Sequence, residues 1–203
     1  MGTRAAYGIR SGHQDKITYN HFDGYPSYLG INIMSFIHDT PDKELREIAD
    51  RIEMVQEDSK PSAKQIKQYK QYADLNVSSQ SLTDWYCLLR ETQGDLTPYK
   101  NGLTHMIDSH DFLKDSLFCE WAYIINVDKG ELEIYRGFNT KKHVKGGGRY
   151  CRFSVDDNPQ RGNKYYGVTI LATLKLSEIR EMTPEAIKQW CEALEKSVYE
   201  GRN

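Results

Sequence analysis

CEWAYIINVDKGELEIYRGF, residues 119–138, decides the fold class. Its first half, CEWAYIINV (119–127), is a nearly continuous apolar run; Asp128-Lys129-Gly130 is a turn; ELEIYRGF (131–138) alternates apolar and polar residues. That succession reads as a β-hairpin with one well-buried strand. Downstream, after a Gly-rich loop, RYCRFSV (149–155) reads as another strand. YYGVTILATLKL (165–176), β-branched and almost wholly apolar, reads as a central strand. Upstream, TRAAYGI (3–9) and KITYNHF (16–22), joined by a turn at Ser11-Gly12, predict an N-terminal hairpin. Asp23-Gly24-Tyr25-Pro26 ends its second strand, since Gly and Pro both oppose continuing a ladder.

Between these strands the period changes to that of helices. A helix is expected over 27–38. Thr40-Pro41 starts another, with Leu45, Ile48, Ala49, Ile52 and Val55 on one stripe. The stretch 56–80 repeats Lys-Gln, with Ile66, Tyr69 and Ala73 as its only apolar ridge. It predicts a solvent-facing, mobile helix leading into a linker at 76–80. Ser81 and Asp84 resemble a capping box ahead of Leu82, Trp85, Tyr86, Leu88 and Leu89, and Gly94 closes that helix. A short helix is expected near 103–108. Thr183-Pro184 begins the last helix, with Ile187, Trp190, Cys191, Leu194 and Val198 on one face and Gly201 past its end. Strands at both ends with helices between predict one α+β domain over 1–203. Its mainly antiparallel sheet would join the N-terminal hairpin to the C-terminal strands, packed with helices from the middle and C-terminus.

Composition excludes several classes. The 203 residues carry a net charge of −2, which rules out a wholly basic nucleic-acid packager. Fourteen Tyr against 6 Phe suggest surfaces that are half apolar and half hydrogen-bonding, as binding faces are. No apolar run approaches the roughly 18 residues of a membrane span, and MGTRAAYGIR has no signal-peptide pattern. The expectation is a soluble cytoplasmic protein, with no membrane partner and room for a homo-oligomer. Cys87, Cys119, Cys151 and Cys191 form no CxxC pair; Cys87 in WYCLL and Cys191 in QWCEAL read as small buried hydrophobes. The histidines make no HExxH, and His105, Asp108 and His110 read as a polar surface loop rather than metal ligands. No metal or cofactor is expected.

Two stretches could carry chemistry. Between Arg136 and Lys164 eight Lys or Arg face only Asp156 and Asp157, a local +6 that leaves about −8 on the rest of the chain. In TKKHVKGGGRYCR, Lys142, Lys145, Arg149 and Arg152 on a glycine-rich backbone have what a phosphate needs: cations and free amides. The loop is not a Walker A motif, lacking Lys-Ser or Lys-Thr after the last Gly, nor a Rossmann fingerprint, since no helix follows. A solvated hairpin loop is the other reading of the same residues. Duplex DNA is not expected as a partner, because the remaining surface would repel it. The second stretch is TYNHFDGYPSYLG (18–30). His21 and Asp23 could form an oriented imidazole–carboxylate pair for general-base catalysis, and Tyr25 and Tyr28 could stack on a planar ligand. Here the alternative is a conformational turn, with Asp23 capping the next helix and the aromatics filling the core.

The opening Met-Gly-Thr-Arg, the block His21-Phe-Asp-Gly-Tyr-Pro26, Thr83-Asp-Trp-Tyr86 and Cys119-Glu-Trp-Ala-Tyr123 together resemble a group of small, largely uncharacterised bacteriophage proteins. Phe22 stands where Trp is more usual in that block, and the likeness runs from the N-terminus to about residue 138. The group transfers no catalytic residue. What the resemblance implies is context: an accessory, counter-defence protein that acts by binding. It would sequester a phosphate-bearing, nucleotide-derived signal or block a host defence protein. A small phosphodiesterase-like hydrolase using His21 and Asp23 is the alternative. An N-terminal-nucleophile amidohydrolase fits poorly, since removal of Met1 exposes Gly2, and Thr3 would serve only after a further cleavage.

Overall fold

The computed structural model describes residues 2–153 and 164–200. The chain opens as a hairpin, β1 (Ala5–Ser11) and β2 (Gln14–Asn20). Its two-residue turn holds Gly12 and His13 at φ 56° and 65°, the conformation whose twist matches that of the flanking strands. Asp128 braces the turn from outside: its carboxylate accepts the Gly12 and His13 N–H groups, each at 2.9 Å. A π-helical turn over Pro26–Gly30 runs into α1 (Ile31–His38), followed by α2 (Asp42–Arg51). The middle of the chain holds β3 (Glu53–Val55), α3 (Ala63–Tyr69), α4 (Trp85–Leu88), α5 (Thr97–Lys100) and β4 (His105–Ile107). β5 (Trp121–Asn126), β6 (Glu131–Arg136), β7 (Thr169–Lys175), α6 (Leu176–Glu181) and α7 (Pro184–Glu200) follow.

The main sheet has the order β2-β1-β5-β6-β7, an α+β arrangement in which only β1 and β5 run parallel. β3 and β4 form a separate parallel pair. All six residues of β5 are buried, which explains why the run 121–126 is apolar on both faces. The N-terminal hairpin therefore enters beside the centre of the sheet, Tyr7 opposite Tyr123, and does not meet β7. Strand β7 is an edge, not the centre. Ile170, Ala172 and Leu174 alternate with more open positions, and the exposed Leu171 hides that alternation in the sequence. Residues 150–153 form turn and irregular chain rather than a strand. They lie across the sheet, where Tyr150 and Cys151 are buried. Positions 154 and 155 of that expected strand, with Asp156, Asp157, Arg161 and Gly201, fall outside the described residues.

One face of the sheet carries Ala5, Tyr7, Ile9, Trp121, Tyr123 and Ile125 against residues of α1, α2, α6 and α7. The other carries Ala6, Ile17, Ala122, Ile124 and Tyr135 beneath Leu113, Tyr150 and Val168. The polar stretch is tied down at Tyr69, which is 2% exposed and bonds Thr104 Oγ1 at 3.0 Å and His105 Nδ1 at 2.8 Å. A Ser62–Gln65 capping box starts α3. Asp84 alone caps α4, accepting the Tyr86 N–H at 2.8 Å and the Ser78 and Ser79 hydroxyls at 2.8 and 2.7 Å. Residues 105–107 are strand rather than helix, paired with β3. Three residues are too few to show a period. Among the described residues no helix is long and apolar enough to cross a membrane.

Candidate ligand-binding site

The turn that ends β2 builds the site. Asp23 takes a positive φ of 53°, and the Gly24 N–H bonds Thr3 O at 2.9 Å. A Cβ on Gly24 would stand 2.6 Å from Ala5 Cβ and 3.0 Å from Thr3 O, so glycine is required for this close approach. The tight path leaves Phe22 53% and Tyr28 61% exposed, beside a cavity of about 310 Å³. Its lining joins Asn20, Asp23 and Asn32 from this segment to Asp74, Arg90 and Gln93 from the chain around α4.

Arg90 organises the wall. Its guanidinium carbon lies 5.5 Å from the centroids of both Phe22 and Tyr86, close enough for cation–π attraction. Arg90 also donates to Gln93 Oε1, which accepts the His21 N–H at 3.1 Å. Asn20 Nδ2 donates to Phe22 O. Asp74 accepts the Asn76 N–H and side-chain amide, each at 2.8 Å, and these bonds hold its carboxyl below the usual range. The cavity thus offers apolar ring faces, amides that donate and accept, and one guanidinium. Asp23, Asp74 and Glu91 on its wall limit how much negative charge a ligand can bring.

His21 shares a face of the hairpin with Tyr19, and Tyr19 Oη lies 2.9 Å from its Nδ1. Among the described residues His21 and Asp23 make no hydrogen bond; Asp23 lines the cavity while the His21 ring meets Phe22 edge-on at 4.2 Å. Burial first, then the charges of Arg90 and Arg4, lower the imidazole pKa below its ordinary value, which favours the neutral ring. Thr3 is buried. Tyr25 is half-buried and turns its carbonyl to the N–H groups of Tyr28 and Gly30 instead of lining the cavity.

The basic loop lies elsewhere. Lys142, Lys145 and Arg152 are exposed, and none of them lines the cavity. Arg149 reaches into the sheet: its Nη2 and Nε bond the two oxygens of Asp15 at 2.8 and 3.1 Å, and Nη1 bonds Glu133. Glu133 also accepts from Asn126 Nδ2 at 2.7 Å and Tyr135 Oη at 2.9 Å. The glycines ahead of Arg149 serve this packing. Gly148 sits at φ 82°, and a Cβ there would be 2.8 Å from the Tyr135 ring. The sequence pattern that suggested a phosphate cradle thus also delivers Arg149 to two carboxylates. The four cysteines are free and buried, and burial, with Glu195 and Glu192 nearby, pushes the Cys191 thiol up to about 12. Both ring nitrogens of His105 are engaged, by Tyr69 and Gln65 at 2.8 and 2.7 Å. Among the described residues no group of three or more His, Cys, Asp or Glu could hold a metal ion.

Asn32, Asp74, Arg90 and Gln93 have no signature in the sequence. Arg90 and Gln93 follow an apolar helix that reads as core, and Asp74 sits in a polar stretch that reads as solvent-facing. The one available cue is Gly94, read as a helix stop: it has φ 81°, and a Cβ would be 3.0 Å from Asn20 Oδ1. Comparison of the chain with protein-family models, curated proteins and solved structures finds no match in any of the three.

Proposed function

We propose that this protein acts by binding, and that the cavity between the Asn20–Asn32 segment and residues 90–94 takes a nucleotide-derived small molecule. The observation that carries this reading is the pairing of two exposed aromatic rings, Phe22 and Tyr28, with one guanidinium, Arg90, around about 310 Å³. That volume is at the lower end of small-ligand pockets. The rings would stack on a base, the amides of Asn20, Asn32 and Gln93 would meet its polar edge, and Arg90 would face a phosphate. Three carboxylates against one cation favour a ligand of low negative charge, such as a cyclic or diester-linked nucleotide, over a polyphosphate. The resemblance of the N-terminal blocks to phage accessory proteins supports a counter-defence role, in which such a signal is sequestered or a host defence protein is blocked.

The test is a thermal-shift panel of cyclic dinucleotides, cyclic oligonucleotides and ADP-ribose derivatives, each ligand recovered afterwards. A ligand at about 100 times its dissociation constant adds roughly 2.7 kcal/mol of stability. Recovery of the ligand intact supports binding. Recovery of cleaved ligand, abolished by His21→Ala, would instead support the hydrolase reading, which burial and the nearby Arg90 and Arg4 favour by disfavouring the charged imidazole. A flat panel overturns both.

A further inference from the structure

The hydrogen bonds between α3 and the β3–β4 pair fix the state of one imidazole, His105. Gln65 is the first link. Its Oε1 accepts the Ser62 N–H at 2.7 Å and the Ser62 hydroxyl at 2.8 Å. A backbone N–H can only donate, so this end of the amide is the oxygen. The Gln65 NH2 group therefore faces His105 Nε2, 2.7 Å away. An NH2 group also only donates, so Nε2 accepts, and the proton of the ring sits on Nδ1. That N–H meets two hydroxyl oxygens, Tyr69 Oη at 2.8 Å and Thr104 Oγ1 at 3.1 Å. Tyr69, 2% exposed, in turn donates its own O–H to Thr104 Oγ1 at 3.0 Å. Every donor in this chain has its acceptor only while the imidazole is neutral.

The charged ring has different partners at hand. Glu53 lies opposite His105 in the β3–β4 pair, with Oε2 3.6 Å from the same Nε2. That is within ion-pair reach but too long for a hydrogen bond. From α4, the Trp85 ring lies 5.6 Å from the imidazole at an interplanar angle of 15°, and an indole face also favours a cation. Other charges on the neighbouring elements are bound or open: Lys16 of β2 donates to Ala49 O and Ile52 O, and Lys64 and Lys67 of α3 are exposed. One ring nitrogen thus has two alternative partners, Gln65 of α3 when neutral and Glu53 of β3 when charged.

We infer that His105 is a pH-sensitive latch on the start of α3. Protonation places an N–H on Nε2, directly against the Gln65 NH2 group. Two donors repel, and Gln65 escapes only by turning its amide, which gives up both bonds to Ser62, or by moving away with α3. Nε2–H then turns to the Glu53 carboxylate. Either path opens the capping box. α3 has only seven residues, too few to persist without tertiary support, so loss of its cap frees the first turn. The two arrangements differ in which element the ring bonds, which is what a protonation switch requires.

The experiment is an NMR titration between about pH 8 and about pH 5, the range in which histidines change charge. It reads the His105 ring signals together with hydrogen-exchange protection factors of the Ser62, Gln65 and Ile66 amides. Protection of these amides should fall by about 2- to 30-fold, the equivalent of one lost N-cap, in step with the His105 ring. Protection along β5 should stay constant. Gln65→Glu keeps an oxygen for the Ser62 N–H and pairs with the charged ring, so in this variant protection should rise as His105 protonates. That reversal would not follow from a merely structural histidine. Glu53→Gln, at an exposed position, removes the second partner, and opening should then need more acid. Protection unchanged while the ring titrates, or a fall of the same sign in Gln65→Glu, would overturn the inference. So would a ring that stays uncharged down to about pH 5, because the latch would then have no working range.

Discussion

Arg149 stands between two carboxylates, Asp15 and Glu133, and the Glu133 side chain is only 1% exposed. Removing one partner of such a pair strands a charge in the interior, and that is costlier than the pair is favourable. Arg149→Met should therefore lower stability by about 3–5 kcal/mol, read from urea unfolding. Adding Glu133→Gln should restore part of the loss, because the uncompensated charge is gone. Lys142→Glu, on the exposed loop, should leave the midpoint within about 0.5 kcal/mol of the parent. Acid should act through two carboxyls, Asp15 and Asp84. Burial pushes the Asp15 carboxyl up, but hydrogen bonds from Arg149, Tyr150 and Arg10 outweigh this and set it below its ordinary value. At Asp84 burial is likewise outweighed, by bonds from Ser79, Ser78 and the Tyr86 N–H, and the carboxyl falls from 3.8 to about 2. Both groups titrate lower folded than unfolded. The contribution of Asp84 is complete above the ordinary value and is lost as pH falls from 3.8 towards about 2, and that of Asp15 is lost as pH falls below its ordinary value. Melting temperature should drop across that window, and Asp84→Asn should flatten part of the drop.

At the scale of elements, the first hairpin depends on one glycine inside a strand. Gly8 lies opposite Ile17, and a Cβ there would come within 1.9 Å of Lys16 O. Backbone cannot move aside as a side chain can. Gly8→Ala should cost at least about 1–3 kcal/mol, whereas Gly130→Ala, at φ 65° with nothing within 4 Å of the new Cβ, should cost about 1 kcal/mol from backbone strain alone. Differential scanning calorimetry of the two variants checks the contrast. The hairpins at 5–20 and 121–136, α2 and α7 were legible because their patterns are long enough to show a period. Strand β7 was recognised but misplaced, since one exposed residue, Leu171, disguised its alternation. The parallel pairing of β1 with β5 was not legible: strand order is set by packing between segments some 115 residues apart, as for Ala5 and Trp121 (116 residues), and no local pattern encodes it.

For the whole molecule, the sheet separates two kinds of site residue. At the end of β2, Asp23 and Tyr28 come to one cavity with Arg90, Gln93 and Asn32. The loop cations Lys142, Lys145 and Arg152 stay outside it, and Arg149 is held by the sheet. The first group was half legible, because its turn chemistry marks residues 23–26, while its partners come from a segment some 60 residues away that carries no motif. The loop was legible only as charge and glycine, and those residues serve packing as well as solvation. The direct test of the binding account is calorimetric titration of the strongest nucleotide from the panel into the parent protein, Tyr28→Ala, and a Lys142→Glu/Lys145→Glu double variant. The account predicts saturable one-to-one binding, weakened about tenfold or more by Tyr28→Ala and little changed in the double variant. Affinity that survives Tyr28→Ala but is lost in the double variant would contradict it and place the ligand on the loop.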